Sequence, residues 1–171
     1  MRSKLLICAL AVTAGVSCTS ASTPQRVTLE RMACYGTCPA YRLTVSSDGA
    51  VRYEGAGWSN SISARSAPEI RLDSARLSPA RAAAVLAAFE RGWSRWQPNR
   101  YYVGTATCPA PATDHAEVLL VRARGARQDT LGLYAGCPMR PARITRAAAE
   151  IDSIAGVIRW LGPEPRRRPA A

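Results

Sequence analysis

The chain is poor in the residues that most often carry chemistry. It has one histidine, His115, and one phenylalanine, Phe89, and aromatic residues make up only 6% of its 171 positions. Its single lysine, Lys4, stands at the extreme N-terminus, so the body of the chain offers no lysine for a Schiff base or a phosphate-binding loop. A covalent haem needs Cys-x2-Cys-His, and Cys38 is followed by Pro39. Strong zinc motifs carry paired, short-spaced cysteine knuckles, which are missing, and a thioredoxin-like centre places Cys-x2-Cys at a helix start. No repeat long enough for a solenoid or propeller is present. No cofactor or metal is therefore expected. No apolar run reaches the roughly 18 residues that a membrane-spanning helix needs.

The longest apolar run, Leu5 to Val16, follows Arg2 and Lys4 and reads as an export signal over residues 1–18. Two endings fit. One is lipoprotein processing at Cys18 in Gly15-Val16-Ser17-Cys18, with residues 19–25 as a polar tether; the other is cleavage after Ala21, with Cys18 a bystander. Gly15 departs from the branched aliphatic residue usual in lipoprotein signals. Both endings predict an exported chain, periplasmic or associated with the outer membrane, and the first predicts a membrane partner through lipid on Cys18.

Removing the signal leaves about 150 residues, enough for one domain with a buried core. The formal charge of the whole chain is +11. All cations beyond the signal are arginines, spread along the sequence rather than clustered. That spread fits a compositional bias better than the focused patch that nucleic acid requires, so no nucleic acid partner is expected. The dense run Arg166-Arg167-Arg168 belongs to a basic tail over 163–171, for which disorder is the expectation.

Val27 and Leu29, then Tyr41, Leu43 and Val45, then Val51 and Tyr53, alternate with polar neighbours at the period of a half-buried strand. Ser47-Asp48-Gly49 marks a hairpin turn between the last two runs. Weaker extended pieces fall at Ser61–Arg65 and around Ile70 and Leu72. Ser78-Pro79 opens a helix to about Trp93, with Ala82, Val85, Phe89 and Trp93 on one face. Residues 94–114 have neither period and read as a long connection, a kind of segment usually functional or tied down. Glu117–Arg122 and Asp129–Tyr134 form a second hairpin. Ile144, Ala148, Ile151, Ala155 and Ile158 mark the seam of a second helix ending before Gly162-Pro163. The order favours a single α+β domain over 26–162, an antiparallel sheet of about four to six strands packed with two helices and stapled by disulfides.

Catalytic constellations are thin. Asp114-His115 would need a serine such as Ser59 or Ser61 to make a triad, and adjacent side chains rarely orient one another that way. Acids for glycoside chemistry exist at Glu54, Glu69, Glu90 and Glu117, with no spacing that pairs them. The binding candidates are Trp58, Trp96, Tyr101, Tyr102 and Asp114, where flat amphipathic rings suit a glycan or an envelope protein.

Cys34, Cys38, Cys108 and Cys137 form an even set, and in an exported domain that favours disulfides. Pairing neighbours closes loops of about 5 and 30 residues, worth roughly 2 and 3.5 kcal/mol; crossed pairing closes longer loops at roughly 4.5 kcal/mol each, so energy alone does not choose. Neighbour pairing is expected because Cys108 and Cys137 bracket one hairpin. A labile Cys34–Cys38 bridge, and with it thiol-disulfide exchange, stays open as an alternative to a purely structural role.

The segments Arg31 to Tyr41, Asp48-Gly49 with Val51, Tyr53 and Gly55, Thr113-Asp114, Tyr134 to Pro138, and Ile151-Asp152 carry a resemblance that spans nearly all of the domain. The chain resembles a family of exported bacterial proteins catalogued only as a domain of unknown function. The resemblance implies one envelope domain beginning near Gln25. It implies no activity, cofactor or catalytic residue. The functional expectation is a non-catalytic envelope binding or scaffold domain, with a thiol-disulfide or hydrolytic enzyme as the alternative.

Overall fold

A computed structural model describes residues 25–59, 69–162 and 164. The segments read above as an export signal with Cys18, a tether before Gln25, an extended piece at Ser61–Arg65 and the arginines of the basic tail lie outside the described residues. Within them the order is β1 (Gln25–Arg31), β2 (Cys38–Ser46), β3 (Ala50–Ser59), β4 (Arg71–Arg76), α1 (Pro79–Gly92), β5 (Arg100–Tyr101), β6 (Glu117–Arg124), β7 (Arg127–Tyr134), α2 (Ala142–Ala155) and the single turn α3 (Ile158–Leu161).

The fold is α+β. The described strands form one seven-stranded sheet in the order β4-β3-β2-β1-β6-β7-β5, antiparallel except where β5 runs parallel to β7. Seven exceeds the expected four to six because β5 is only two residues long, too short to show any period. Both helices pack on one face and the other is left open.

Alternation sets that division. Val27, Leu29, Leu43, Val45, Val51, Leu120 and Leu131 project toward the helices and are buried, each large side chain worth roughly 1.5–3 kcal/mol. Their neighbours Thr28, Thr44 and Arg52 project outward. The helices complete the core with Val85, Phe89, Ile144 and Ile151. The Ser78 hydroxyl caps α1 by accepting from Arg81 N at 3.3 Å, with Pro79 in the first turn.

The apolar seam from Ile144 to Ile158 suggested one helix, and Gly156 divides it. Its φ of 69° is left-handed, and the amides of Gly156 and Val157 turn back to the Asp152 carbonyl at 2.9 and 3.1 Å. The chain then restarts as α3, whose Trp160 stacks on Tyr53 with ring centroids 5.0 Å apart.

The long connection is tied down as its length requires. Arg143 donates to Pro98 O at 2.6 Å and to Asn99 Oδ1 at 3.2 Å, and the buried Cys108 is bonded to Cys137. Cys34 is bonded to Cys38, so neighbours pair as expected.

Candidate functional site

The sheet is irregular at one place. Tyr41 pairs with Gly55, but Ala40 pairs with Gly57, so Ala56 is an extra residue on β3. Such a bulge reverses the faces beyond it. Trp58 thereby comes opposite Pro39 on the helix side, where its indole Nε1 donates to Gly162 O at 3.2 Å. Gly55 is needed beside the bulge, since a Cβ there would lie 2.5 Å from Tyr41 Cβ and 2.9 Å from Ala40 O.

Between this strand end and the α2–α3 break lies a groove of about 490 Å³, walled by Pro39, Trp58, Val157, Ile158 and Leu161. Ile158 is 66% exposed on its rim. Arg31, Tyr41 and Asp152 form its polar floor. Arg31 Nε donates to Asp152 Oδ2 at 2.9 Å and to Tyr41 Oη at 3.0 Å, and Nη2 donates to Asp152 Oδ2 at 2.5 Å. The Tyr41 hydroxyl donates to the other carboxylate oxygen, Oδ1.

Electrostatics fix the protons. Burial, and then the negative charge of Asp152, push the Tyr41 phenol far above its ordinary value. Burial alone would lower Arg31, but Asp152 and Tyr41 outweigh it and raise the guanidinium above its usual value. The phenol stays neutral and the guanidinium charged at any physiological pH. Neither can act as a general base near neutrality, and the carboxylate already accepts at both oxygens. The arrangement suits binding: the three side chains hold one another in place, while both members of the Arg31–Asp152 pair keep 22% of their side-chain surface.

The residues singled out in the sequence do not converge. Trp58 alone lines the groove. Trp96 is 93% exposed on the connection after α1, and Tyr101 is buried in the core rather than presented to a ligand. Tyr102 lies across Gly132 on the open face, where burial and then Glu117 raise its phenol. Asp114 holds a left-handed φ of 67°, and its carbonyl accepts from Tyr35 N at 3.2 Å, which pins the Cys34–Cys38 loop.

His115 stands edge-on to Tyr134, and the serine side chains proposed for it lie outside the described residues. Glu90 engages Arg122 on the helix side whereas Glu54 belongs to the open face, so those acids are not paired. Among the described residues no cluster of histidine, cysteine or acid groups could hold a metal.

Sequence reasoning missed Arg31, Tyr41 and Asp152 as a unit. A signal was present, since all three lie in the segments that carry the family resemblance. These features define a class: an open-faced antiparallel sheet with helices on one side and two disulfides. The chain belongs to the family described as Domain of unknown function (DUF6438), which it matches over residues 25–155. No curated protein matches it. The groove wall contributed by Val157, Ile158 and Leu161 lies beyond the matched span.

Proposed function

We propose that this is a non-catalytic binding domain of the cell envelope, exported and anchored through lipid on Cys18, whose groove receives an apolar segment of an envelope protein. The observation that carries the reading is the groove itself, with aliphatic and aromatic walls beside a proton-locked Arg31–Tyr41–Asp152 floor. A glycan fits less well. Sugar binding uses an exposed ring face and many free polar groups, whereas the Trp58 indole N–H is spent on Gly162 and the walls offer mainly carbon. A peptide uses the same site fully, burying one or two apolar side chains against Ile158 and Trp58 while Arg31 faces its carbonyls.

The test is photo-crosslinking from position 158 in intact cells, using a photoreactive residue in place of Ile158. A discrete protein adduct that disappears when Leu161→Glu is added supports the reading. Adducts absent or unchanged by Leu161→Glu overturn it. Intact-mass analysis of the membrane fraction tests the Cys18 anchor separately.

A further inference from the structure

The arginines look scattered along the chain, but the sheet gathers several of them at one end. Register places Arg26 opposite Ser46 and Ala123, and Arg76 opposite Ala50, in the outermost row of the open face. The next row holds Arg52 beside Thr44, which pairs with Thr28. Neither row contains a carboxylate; acids begin in the third, where Glu30 binds Arg42 at 2.8 Å. Arg124 and Arg127 close the β6–β7 hairpin at the same end, since Arg124 pairs with both Gln25 and Arg127.

Asp48, Glu90 and Asp129 are the acids near them. Glu90 and Asp129 engage the buried Arg122, and Asp129 lies only 3.4 Å from the ends of Arg124 and Arg127. Arg26, Arg76 and Arg127 are exposed. A shallow bowl of about 530 Å³ opens on this face, lined toward the end by Arg26, Arg52, Thr28, Thr44, Ser46 and Gln128. Its acids Glu30, Glu54 and Asp73 lie farther in, Glu30 held by Arg42 and Asp73 by Arg71. The outer two rows of the open face thus present guanidinium and hydroxyl donors with no carboxylate among them, a surface for phosphate oxygens, while Arg124 and Arg127 share Asp129 beside it.

We propose that this end of the sheet docks on an anionic phospholipid surface. Charge complementarity is one support, and chain geometry is the other. β1 begins at this end with Gln25, so the chain preceding it departs here. Seven peptide steps from Cys18 to Gln25 extend at most about 25 Å, so an anchor at Cys18 holds this end against headgroups. β1 runs from Gln25 to Arg31, which sets the groove floor at the far end of the strand, roughly 20 Å away and turned from the membrane. The orientation rests on the anchored reading above, whereas the attraction to anionic lipid does not require it.

The experiment uses the full chain carrying Cys18→Ser, so that no acyl group contributes, and vesicles of phosphatidylcholine with and without phosphatidylglycerol. Binding should appear with phosphatidylglycerol and weaken with salt. Combining Arg26→Ala, Arg124→Ala and Arg127→Ala should lower partitioning about a hundredfold, at about fivefold per arginine near the surface. Combining Arg140→Ala, Arg146→Ala and Arg159→Ala removes the same charge elsewhere and should change it less than about threefold.

Equal losses from the two sets, or binding indifferent to phosphatidylglycerol, overturn the proposal. Circular dichroism of both variants establishes that the fold is kept. Vesicle binding without acylation of Cys18 in cells removes the anchor and keeps the surface, and the reverse result does the opposite.

Discussion

Arg31 and Asp152 are 121 positions apart in the chain and meet at 2.5 Å, joining the end of β1 to the last turn of α2. Tyr41 completes the contact from β2. A helix and two strands are thus fixed by three side chains at the floor of the groove, so the same residues that shape the site hold its walls in place. Tyr41→Phe keeps the ring and its stacking on Tyr53, 5.6 Å away between centroids, and removes only the hydroxyl. It should cost about 2 kcal/mol, the range for a hydrogen bond to a charged partner. Urea denaturation checks this, and a loss below a few tenths would mean that the floor is ornamental.

Arg122 and Asp129 form a second ion pair on the helix side, 2.6 Å apart and nearly excluded from solvent, with Phe89 stacked over the guanidinium. Asp129→Asn leaves Arg122 with only the half-exposed Glu90 and should cost about 3 kcal/mol. Replacing Arg122 by Met and Asp129 by Leu together should cost much less, because no buried charge is stranded. Denaturant midpoints of the single and double variants decide this; equal losses would refute the stranded-charge account.

The same pair predicts an acid limb. Hydrogen bonding to Arg122 holds the Asp129 carboxyl below its ordinary value, with burial working against it. Since the folded pKa is depressed, the contribution is complete above about pH 4 and is lost as pH falls through the folded value. Glu117 works the other way: burial raises it, so its contribution is present below the usual carboxylate range and is lost as pH rises through its folded value. The stability gap between the natural chain and Asp129→Asn should therefore narrow from neutrality to about pH 3. A gap of constant size would exclude Asp129 as its source.

Much of this architecture is legible in the sequence because local rules and tertiary packing agree. Ser78-Pro79 starts α1, the Ser47-Asp48-Gly49 turn joins β2 to β3, and the alternation of Val27, Leu29, Leu43 and Val45 gives the buried face. The site was not legible, because each of its parts depends on a relation across the chain. Arg31 reads as another polar residue at a strand end, and Asp152 as a helix surface acid; only the packing of α2 over the sheet makes them partners. The basic end was hidden in the same way, since Arg26, Arg76 and Arg124 come to one end of the sheet only through strand register.

The disulfides should differ in accessibility. Cys108 and Cys137 have no exposed surface, whereas Cys34 and Cys38 are only half-buried beside the exposed Tyr35. A reductant applied under native conditions should open Cys34–Cys38 first, with Cys108–Cys137 resisting until the domain unfolds. Removing both Cys108 and Cys137 should cost about 3.5 kcal/mol, and removing Cys34 and Cys38 about 2 kcal/mol. Alkylation followed by mass spectrometry gives the order of opening; simultaneous modification of all four would contradict it.

The bulge at Ala56 makes the sharpest demand on the groove. Inserting one residue between Ala40 and Tyr41 gives Ala56 a partner on β2 and restores simple alternation along β3, so that everything beyond it turns to the opposite face. Trp58 should then leave the helix side, lose its hydrogen bond to Gly162 and expose its indole N–H. The strands before the bulge keep their pairing, since Tyr41 opposite Gly55 and Leu43 opposite Tyr53 lie on its near side. Much of the core should therefore remain while one groove wall disappears. Hydrogen exchange at the Trp58 indole, read by NMR against the unchanged Trp160 signal, separates the outcomes. Fast exchange at Trp58 alone is expected. Protection retained at Trp58 would mean that packing against α3, rather than strand register, determines which way the ring faces, and the bulge would lose its role in building the site.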